Sequence, residues 1–457
     1  MRKAVSVLAL LLAGACRQFA PPHVVPELPV PQTYPDVAME TERGARATEI
    51  AWREFFVDER LETLIAAALE QNRDLAITVA QIEQARGLYR IQDANRVPSI
   101  DADASATVGR SGGETLDRYS IGVGVSAFEL DFWGRVRNLS EAARAEYLAT
   151  VQGQRAFRLV VIREVASAYL FSLEAAERIE LAEATVRSRE EGLEIAQVRM
   201  ESGITSALEY RQAESLLTQA QTELAGLRLA KARNDNALSA LVGGPVPSAL
   251  PDAVPLVQQA TAPTIAAGLP SELLTARPDI IAAEERLRAS RADIGAARAA
   301  FFPSISLTGS FGFASADLGD LLGSDGLTWN IGPFISLPIF NRGRLEGNLT
   351  VAQANESIAT ASYERTIQTA FREVADALAG RRYLAEQVAA QERGTRAQRE
   401  IAALARTRYL EGVVGYLEVL DAERNLFGAE QALLQLRRAQ ADNLVSLYIA
   451  LGGGSTE

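Results

Sequence analysis

The chain has 457 residues and a formal net charge of −12, and its sequence holds no basic patch or tail, so we expect no nucleic-acid partner. Hydrophobic residues make up 48% but aromatic residues only 6%, which favours long, closely packed helices over a thick globular core. A structural zinc site needs about four nitrogen or sulfur ligands, and one Cys and one His exclude it. A Ser-His-Asp catalytic triad or a Cys-His dyad would have to use His23, so the sequence disfavours an enzyme.

The start of the chain is typical of a secretory signal. Two basic residues precede an apolar run from Ala4 to Ala13 that is too short to span a bilayer. We predict that residues 1–15 are a signal peptide, cleaved after Ala15. The small residues before Cys16 resemble a lipoprotein signal, in which this Cys is acylated, for example with palmitate. Ala13-Gly14-Ala15 equally fits ordinary cleavage, and apart from a lipid on Cys16 we expect no cofactor.

The remainder of the chain repeats itself once. Residues 72–100 parallel residues 277–305, which matches Pro98 with Pro303 at an offset of 205. Farther along, Gly203 and Gly412 each interrupt a long helical pattern, and they match at an offset of 209. The second repeat therefore has about four extra residues after Pro303, as is common in loops. The parts are a signal peptide (1–15), an acylated Cys and Pro-rich arm (16–51), a first repeat (52–242), a Pro-rich connector (243–270), a second repeat (271–453) and a tail (454–457).

Each repeat begins with a helix, predicted at about 55–96 and 271–301, and a strand pair follows it. A very long helix comes next, at about 134–200 and 343–411, and after the glycine break a last helix covers about 206–241 and 416–451. A helix of about 65 residues reaches on the order of 100 Å. Such helices must pack laterally, and their Ala-rich faces allow close approach. Charged residues occur throughout, which places them in water.

The strand pairs show strict alternation. Ile100, Ala102, Ala104, Ala106 and Val108 alternate with polar residues, and the second repeat does the same from Ile305 onward. This pattern is typical of transmembrane barrel strands, and a soluble sheet with one wet face would show it too. Four strands cannot close a barrel, and an open edge in lipid leaves backbone groups unpaired. Two copies would pool eight strands and three copies twelve, and the alternation does not choose between them.

Several segments resemble a known family. The segments GLPSELLTARPDIIAAE (268–284), LPIFNRGR (337–344), RYLEGVVGYLEVLDAERNL (408–426) and YIALGGG (448–454) are similar to the TolC family of trimeric outer-membrane efflux channels. The likeness is to its lipoprotein branch, which serves multidrug pumps of the resistance-nodulation-division type. It covers essentially the whole mature chain, although the first half is more divergent, with FELDFWGR at its strand-to-helix junction.

The resemblance implies a mainly α fold with a membrane β-barrel. A homotrimer would pool its strands into a twelve-stranded barrel in the outer membrane, lipid-anchored, and a long α-helical barrel with an equatorial belt would extend into the periplasm. The connector would fall near that belt. The implied function is passive efflux of small molecules, powered by an inner-membrane resistance-nodulation-division pump and bridged by a periplasmic adaptor protein. The barrel would be surrounded by outer-membrane lipid.

The glycine breaks correspond, by resemblance, to turns at the periplasmic tips that meet the adaptor. The turn residues are Gly203, Ile204, Gly412, Val413, Val414 and Gly415. By motif position Tyr409 and Asp421 match residues that constrict the resting aperture and face each other across the turn, and Arg424 matches a position that pairs nearby. A threefold ring of Asp421 would favour cations. The first repeat has Gln212 at the corresponding position, so the gate should depend on the second repeat.

Simpler interpretations exist for the same residues. Asp421 and Arg424 could form an i, i+3 surface pair worth a few tenths of a kcal/mol. Gly203 and Gly412 could be ordinary helix C-caps, which is compatible with a turn.

Two alternative functions fit parts of the same sequence. A type I secretion or metal-efflux duct would share the fold, and three Met and one His disfavour a metal-binding route. A periplasmic coiled-coil scaffold would explain the helices but neither the strand pairs nor the signal.

Overall fold

The computed structural model describes residues 19–24, 26, 29–34, 44–112, 114–247, 249–259, 265–266, 268 and 270–455. The predicted signal peptide and Cys16 lie outside the described residues. The elements are α1 (Trp52–Phe55), α2 (Glu59–Gln71), α3 (Arg73–Ala94), β1 (Asp101–Ser111), β2 (Glu114–Glu129), α4 (Arg135–Glu201), α5 (Ala207–Val242), α6 (Leu273–Ala276), α7 (Pro278–Ala299), β3 (Ser304–Ser315), β4 (Leu327–Ser336), α8 (Arg344–Leu410) and α9 (Tyr416–Ala450). This order confirms the predicted succession of helix, strand pair, long helix and last helix in both repeats.

The first helix of each repeat differs from its prediction, because it is broken into pieces. In the first repeat α2 ends before Asn72, whose side-chain Oδ1 accepts from the backbone N of Leu75 at 2.8 Å and starts α3. In the second repeat the break falls at Arg277, which is extended (φ −96°, ψ 119°) because it precedes Pro278. Asn72 and Arg277 are equivalent positions of the duplication, so the break is itself repeated.

The four strands form one antiparallel sheet in the order β1-β2-β3-β4. Ala102 lies opposite Val123, and Phe311 lies opposite Trp329. The pairing of β2 with β3 shifts register between Val125 and Phe128. Because β1 and β4 stand at opposite edges, the sheet does not close on itself within one chain.

The chain divides into two compact units. The first comprises Met1–Glu27, Val79–Gly153 and Asp279–Thr366, and it contains the sheet. Here small side chains of α4 and α7 pack together, namely Ala142, Ala145, Ala289 and Ala292. Residues 19–24 of the Pro-rich arm are not helical and lie on α7, since Arg298 Nη1 donates to the carbonyl of Phe19 at 2.9 Å.

The second unit comprises Leu28–Thr78, Gln154–Pro278 and Ile367–Glu457. Its core contains Trp52 and Tyr448, both almost fully buried, and the Phe55 ring stacks on that of Tyr448 at 4.1 Å. The Tyr448 hydroxyl donates to the carbonyl of Ile50 at 2.7 Å. The chain before α2 is thereby fixed to α9 near its C-terminal end.

One buried carboxylate joins three parts of this second unit. Asp58 is 0% exposed and accepts from the backbone N of Arg60 and of Leu61 at the start of α2. It also accepts from the Tyr169 hydroxyl of α4 at 2.6 Å. From the connector, the backbone N of Val254 and Nε2 of Gln259 donate to it at 3.2 and 2.6 Å. Asp58 therefore works both as an N-cap and as the acceptor that fixes the connector to α4.

The long helices α4 and α8 have 67 residues each. Among the described helices, none contains a stretch apolar enough to cross a membrane.

Candidate functional site at the helix turns

Both glycine breaks adopt the same backbone geometry. The backbone N of Gly412 donates to the carbonyl of Tyr409 at 3.0 Å, and that of Val413 donates to Arg408 at 2.9 Å. In the first repeat Gly203 and Ile204 make the equivalent bonds at 3.0 and 2.9 Å. This pair of bonds defines a Schellman cap, in which the residue after the helix is left-handed. Gly412 and Gly203 have φ of 76° and 73°, a left-handed conformation that favours glycine at both positions.

The second glycine of the turn has a different role from the one expected. Gly415 is extended (φ −74°, ψ 157°) and stands at the N-cap of α9. Its equivalent in the first repeat is Ser206, with φ −86° and ψ 156°. Any residue can adopt this backbone conformation, so Gly412 forms the turn and Gly415 only begins the next helix.

We predict opposite results for substitutions at these two glycines. Gly412→Ala should destabilise the turn by about 1 kcal/mol, because a Cβ is disfavoured at positive φ. Gly415→Ser should be neutral or slightly stabilising, since serine caps helices well. Limited proteolysis of the turn in the purified protein measures the difference. Equal protease sensitivity of the two variants would contradict this account of the turn.

A tyrosine and an arginine hold the two turns together. Arg199, at the end of α4, donates to the Tyr409 hydroxyl at the end of α8, and its guanidinium lies 5.3 Å from the Tyr409 ring centroid. The Tyr409 ring is 5.1 Å from that of Tyr416. The Tyr416 hydroxyl lies against Gly192 of α4, where an added Cβ would come within 2.0 Å of it. Gly192 thus provides the space in which α9 approaches α4.

Charged groups lie partly buried behind these tyrosines. Arg189 is 5% exposed, and its Nη1 donates to the carbonyl of Leu216 at 2.6 Å. Burial raises the pKa of Glu423, while Arg406 and Arg189 lower it. Burial also raises the pKa of Tyr416 to about 12, so its hydroxyl stays neutral. The interior of the tip therefore disfavours ionised acids.

The structure places the sequence-predicted gate residues in two groups. Asp421 Oδ1 and Arg424 Nη2 are 3.0 Å apart, with side chains 51% and 53% exposed. The i, i+3 pair is therefore formed, and it lies on an open face of α9. The Tyr409 hydroxyl accepts a hydrogen bond from Arg199, whereas Asp421 pairs with Arg424. Tyr409 and Asp421 therefore bond to different partners. At the turns Val413 is 63% and Ile204 is 67% exposed.

Arg199, Gly192 and Tyr416 were not among the site residues predicted from the sequence. The duplication could have pointed to Arg199, because at the offset of 209 it occupies the position equivalent to Arg408. In the second repeat Arg408 instead pairs with Glu418 at 2.6 Å. Equivalent positions therefore bind different partners, which the repeat pattern alone does not reveal.

The described residues contain no group of three or more His, Cys, Asp or Glu side chains that could hold a metal ion.

Comparison with known proteins places these features in context. A family model described as outer membrane efflux protein matches residues 64–244 and 269–453, once in each repeat. The solvent efflux pump outer membrane protein SrpC of Pseudomonas putida is 42% identical, and the match covers 99% of this chain and 98% of that protein. The cation efflux system protein CusC of Escherichia coli K12 is 40% identical, with 98% of each chain covered.

A solved structure agrees with the fold over nearly the full length. The open state of the Neisseria gonorrhoeae MtrE outer membrane channel matches with a TM-score of 0.88 and 38% identity, covering 95% of this chain and 98% of that one.

Proposed function

Because the chain belongs to the outer membrane efflux protein family and acts in efflux at the outer membrane, we propose that it is the exit duct of a tripartite efflux system. In this proposal it conducts small molecules passively from the periplasm to the outside and catalyses no reaction. A resistance-nodulation-division pump in the inner membrane supplies the energy, and a periplasmic adaptor bridges pump and duct.

The observation that carries the proposal is the open sheet. Its four strands leave both β1 and β4 as edges, and an unpaired edge in lipid costs several kcal/mol per backbone group. In a homotrimer three sheets supply twelve strands and can close into a barrel around one pore. The 67-residue helices α4 and α8 then extend the pore as a helical barrel.

The turns are the proposed meeting point with the adaptor. Ile204, Val413 and Leu410 are exposed by 67%, 63% and 77%, and exposed apolar side chains grouped in one place mark interaction surfaces. The exposed pair of Asp421 and Arg424, with Tyr409 nearby in sequence, is the proposed periplasmic gate. Three Asp421 side chains around one axis would form a ring of negative charge, which attracts cations.

Fractionation and electrical recording test the duct. The protein should remain with outer membranes after carbonate extraction, run as a heat-labile oligomer on a gel, and form pores in a planar bilayer. Extraction by carbonate, without pores, would instead support the periplasmic scaffold.

The cargo class has two candidates. The 42% identical relative is named for solvent efflux and the 40% identical one for cation efflux. These two identities are too similar to decide which cargo class this chain conducts. We favour organic small molecules, because three Met and one His in the chain offer few soft ligands. A deletion strain should become sensitive to organic solvents and drugs, and sensitivity to metal cations alone would favour the metal-cation duct.

Lipid anchoring is the remaining part of the proposal. Acylation of Cys16 after removal of residues 1–15 would tether the N-terminal arm to the outer membrane. Mass spectrometry of the mature N-terminus decides this, because an unmodified Cys16 excludes the lipid.

A further inference from the structure

Two carboxylates share one arginine where α4 meets α9. Arg438 of α9 donates through Nε to Glu174 of α4 and through Nη1 to Asp442, four residues farther along α9. Glu174 is 3% exposed, and the Asp442 side chain is 20% exposed. We call these three residues the α4–α9 triad. The triad joins two helices that belong to different repeats of the chain.

Further charged and polar groups surround the triad. Arg178 of α4 donates through Nη1 to Glu174 at 3.0 Å and through Nε to Gln431 of α9. From α5, Glu223 reaches Arg178 at 3.4 Å. Within the described chain α8 contributes no ion pair to these residues, and Asp442 has the shared arginine as its one ion-pair partner. Glu174 is therefore held by two cations and Asp442 by part of one.

The equivalent positions of the duplication carry no such triad. Left-handed glycines before the long helix, at the turn and after the last helix match between the repeats at an offset of 209, namely Gly134 with Gly343, Gly203 with Gly412 and Gly243 with Gly452. At this offset the triad corresponds to Tyr383 of α8 and to Leu229 and Arg233 of α5. None of these residues is an acid, and yet α8 has the same 67 residues as α4. The helices therefore form without the triad.

The triad is costly in free energy when all its groups are charged. Removing charged groups from water is unfavourable, and an ion pair offsets this only where its geometry is good. Burial raises the pKa of Asp442, Arg438 lowers it, and the nearby Glu174 carboxylate raises it further. The ionised form of Asp442 is thus disfavoured in the folded chain relative to the unfolded chain.

We propose that the triad is a lock between α4 and α9 that tightens in acid. While Asp442 is ionised, the Arg438 guanidinium is divided between two carboxylates that repel each other. When Asp442 takes up a proton, the repulsion ends and Arg438 is left to Glu174, across the contact between the two helices. The lock belongs to the folded chain, and it does not depend on the proposed efflux function.

The sign of the pH effect follows from linkage between protonation and folding. An acid whose pKa is higher in the folded chain than in the unfolded chain binds its proton more tightly when folded. The folded chain therefore gains stability as the pH falls through the raised pKa of Asp442. The gain is complete below about pH 3.9, the ordinary pKa of an aspartic acid, and it is absent at pH values well above the raised pKa.

Thermal unfolding of the full-length protein in detergent, followed by helical circular dichroism at pH 7.5 and 4.5, tests the lock. Asp442→Asn imitates the protonated side chain at both pH values. Between pH 7.5 and 4.5 the unfolding temperature of the parent should rise by about 1–2 °C relative to that of the variant. Acids elsewhere titrate in both proteins and cancel in this difference. At pH 7.5 the variant should be at least as stable as the parent.

Two further variants locate the effect. Asp235→Asn is the matched control, because Asp235 also pairs with a cation four residues away, Lys231 at 2.7 Å, but is 42% exposed. This variant should keep the pH response of the parent. Glu174→Gln removes the repelling carboxylate on α4, so the gain in acid should disappear as it does in Asp442→Asn.

The outcomes decide both the proton site and the lock. Identical pH responses of the parent and Asp442→Asn, or a relative loss of parent stability in acid, overturn the proposal. A full gain in Glu174→Gln confines the effect to α9 and overturns the lock between helices. If Glu174→Gln does not fold, hydrogen exchange of the parent replaces it. Amides of α4 around Glu174 should then be several-fold better protected at pH 4.5, after correction for intrinsic exchange, and a change limited to α9 overturns the lock.

Discussion

Replacing Tyr409 and Asp421 together by alanine is expected to raise single-channel conductance in a planar bilayer several-fold and to weaken the preference for cations. The Asp421 side chain is 51% exposed, so in the trimeric duct three copies would line a narrow aperture with negative charge. Tyr409 holds Arg199 through its hydroxyl and ring, and its loss frees the end of α4 from α8. Loss of the Asp421 carboxylate removes charge from the aperture, and loss of the Tyr409 side chain loosens its wall.

A matched control lies in the other repeat. Gln212 occupies the position equivalent to Asp421, so Gln212→Ala should leave conductance and ion preference unchanged. If the double variant also conducts like the parent, the gate does not lie at these residues. Asp421 and Arg424 would then be the surface pair alone, worth a few tenths of a kcal/mol.

Asp58→Ala is expected to destabilise the folded chain by about 3 kcal/mol or more. The substitution removes a helix N-cap, which contributes about 1 kcal/mol. It also leaves the buried Tyr169 hydroxyl and the backbone N–H of Val254 without their shared acceptor, at about 1–3 kcal/mol for each unpaired group. Burial raises the pKa of Tyr169, so this hydroxyl keeps its proton and requires an acceptor. Urea unfolding in detergent, followed by helical circular dichroism, measures the loss.

Asp74→Ala provides the comparison for this effect. Asp74 is also in the first turn of a helix but is exposed, so its loss should change stability by no more than about 0.5 kcal/mol. Asp58→Asn should fall between the two alanine variants, because an amide can still cap the helix but offers fewer lone pairs to the other donors. Equal stability of the Asp58 and Asp74 variants would show that Asp58 does not fix the connector.

Local sequence patterns predicted much of the fold. The alternation from Ile100 to Val108 predicted a strand, and the Pro-free, Ala-rich stretches predicted helices of the length observed in α4 and α8. Gly203 and Gly412 marked the turns, because only a residue without Cβ adopts their positive φ freely. Such features are visible in sequence because they depend on neighbouring residues.

What the sequence did not reveal depends on distant partners. Asp58 and Tyr169 are 111 residues apart, and Arg199 and Tyr409 are 210 apart. Nothing in the local pattern shows which buried acceptor a given donor finds. The break at Asn72 was missed for the same reason, since this side chain also donates to the carbonyl of Leu241, 169 residues away.

The duplication explains both what one chain completes and what it leaves open. Residues 130–135, between β2 and α4, contact the start of β3 in the second repeat, through Leu130 and Trp133. In the equivalent segment between β4 and α8, Ile339 and Phe340 are exposed, and within the described chain the outer edges of β1 and β4 have no strand partner.

Native mass spectrometry of the mature protein, extracted from outer membranes in mild detergent, tests whether the duct is a trimer. We expect a single dominant species of three chains, because three four-stranded sheets can close the barrel and pair every strand edge. A dominant monomer or dimer under the same conditions would contradict it.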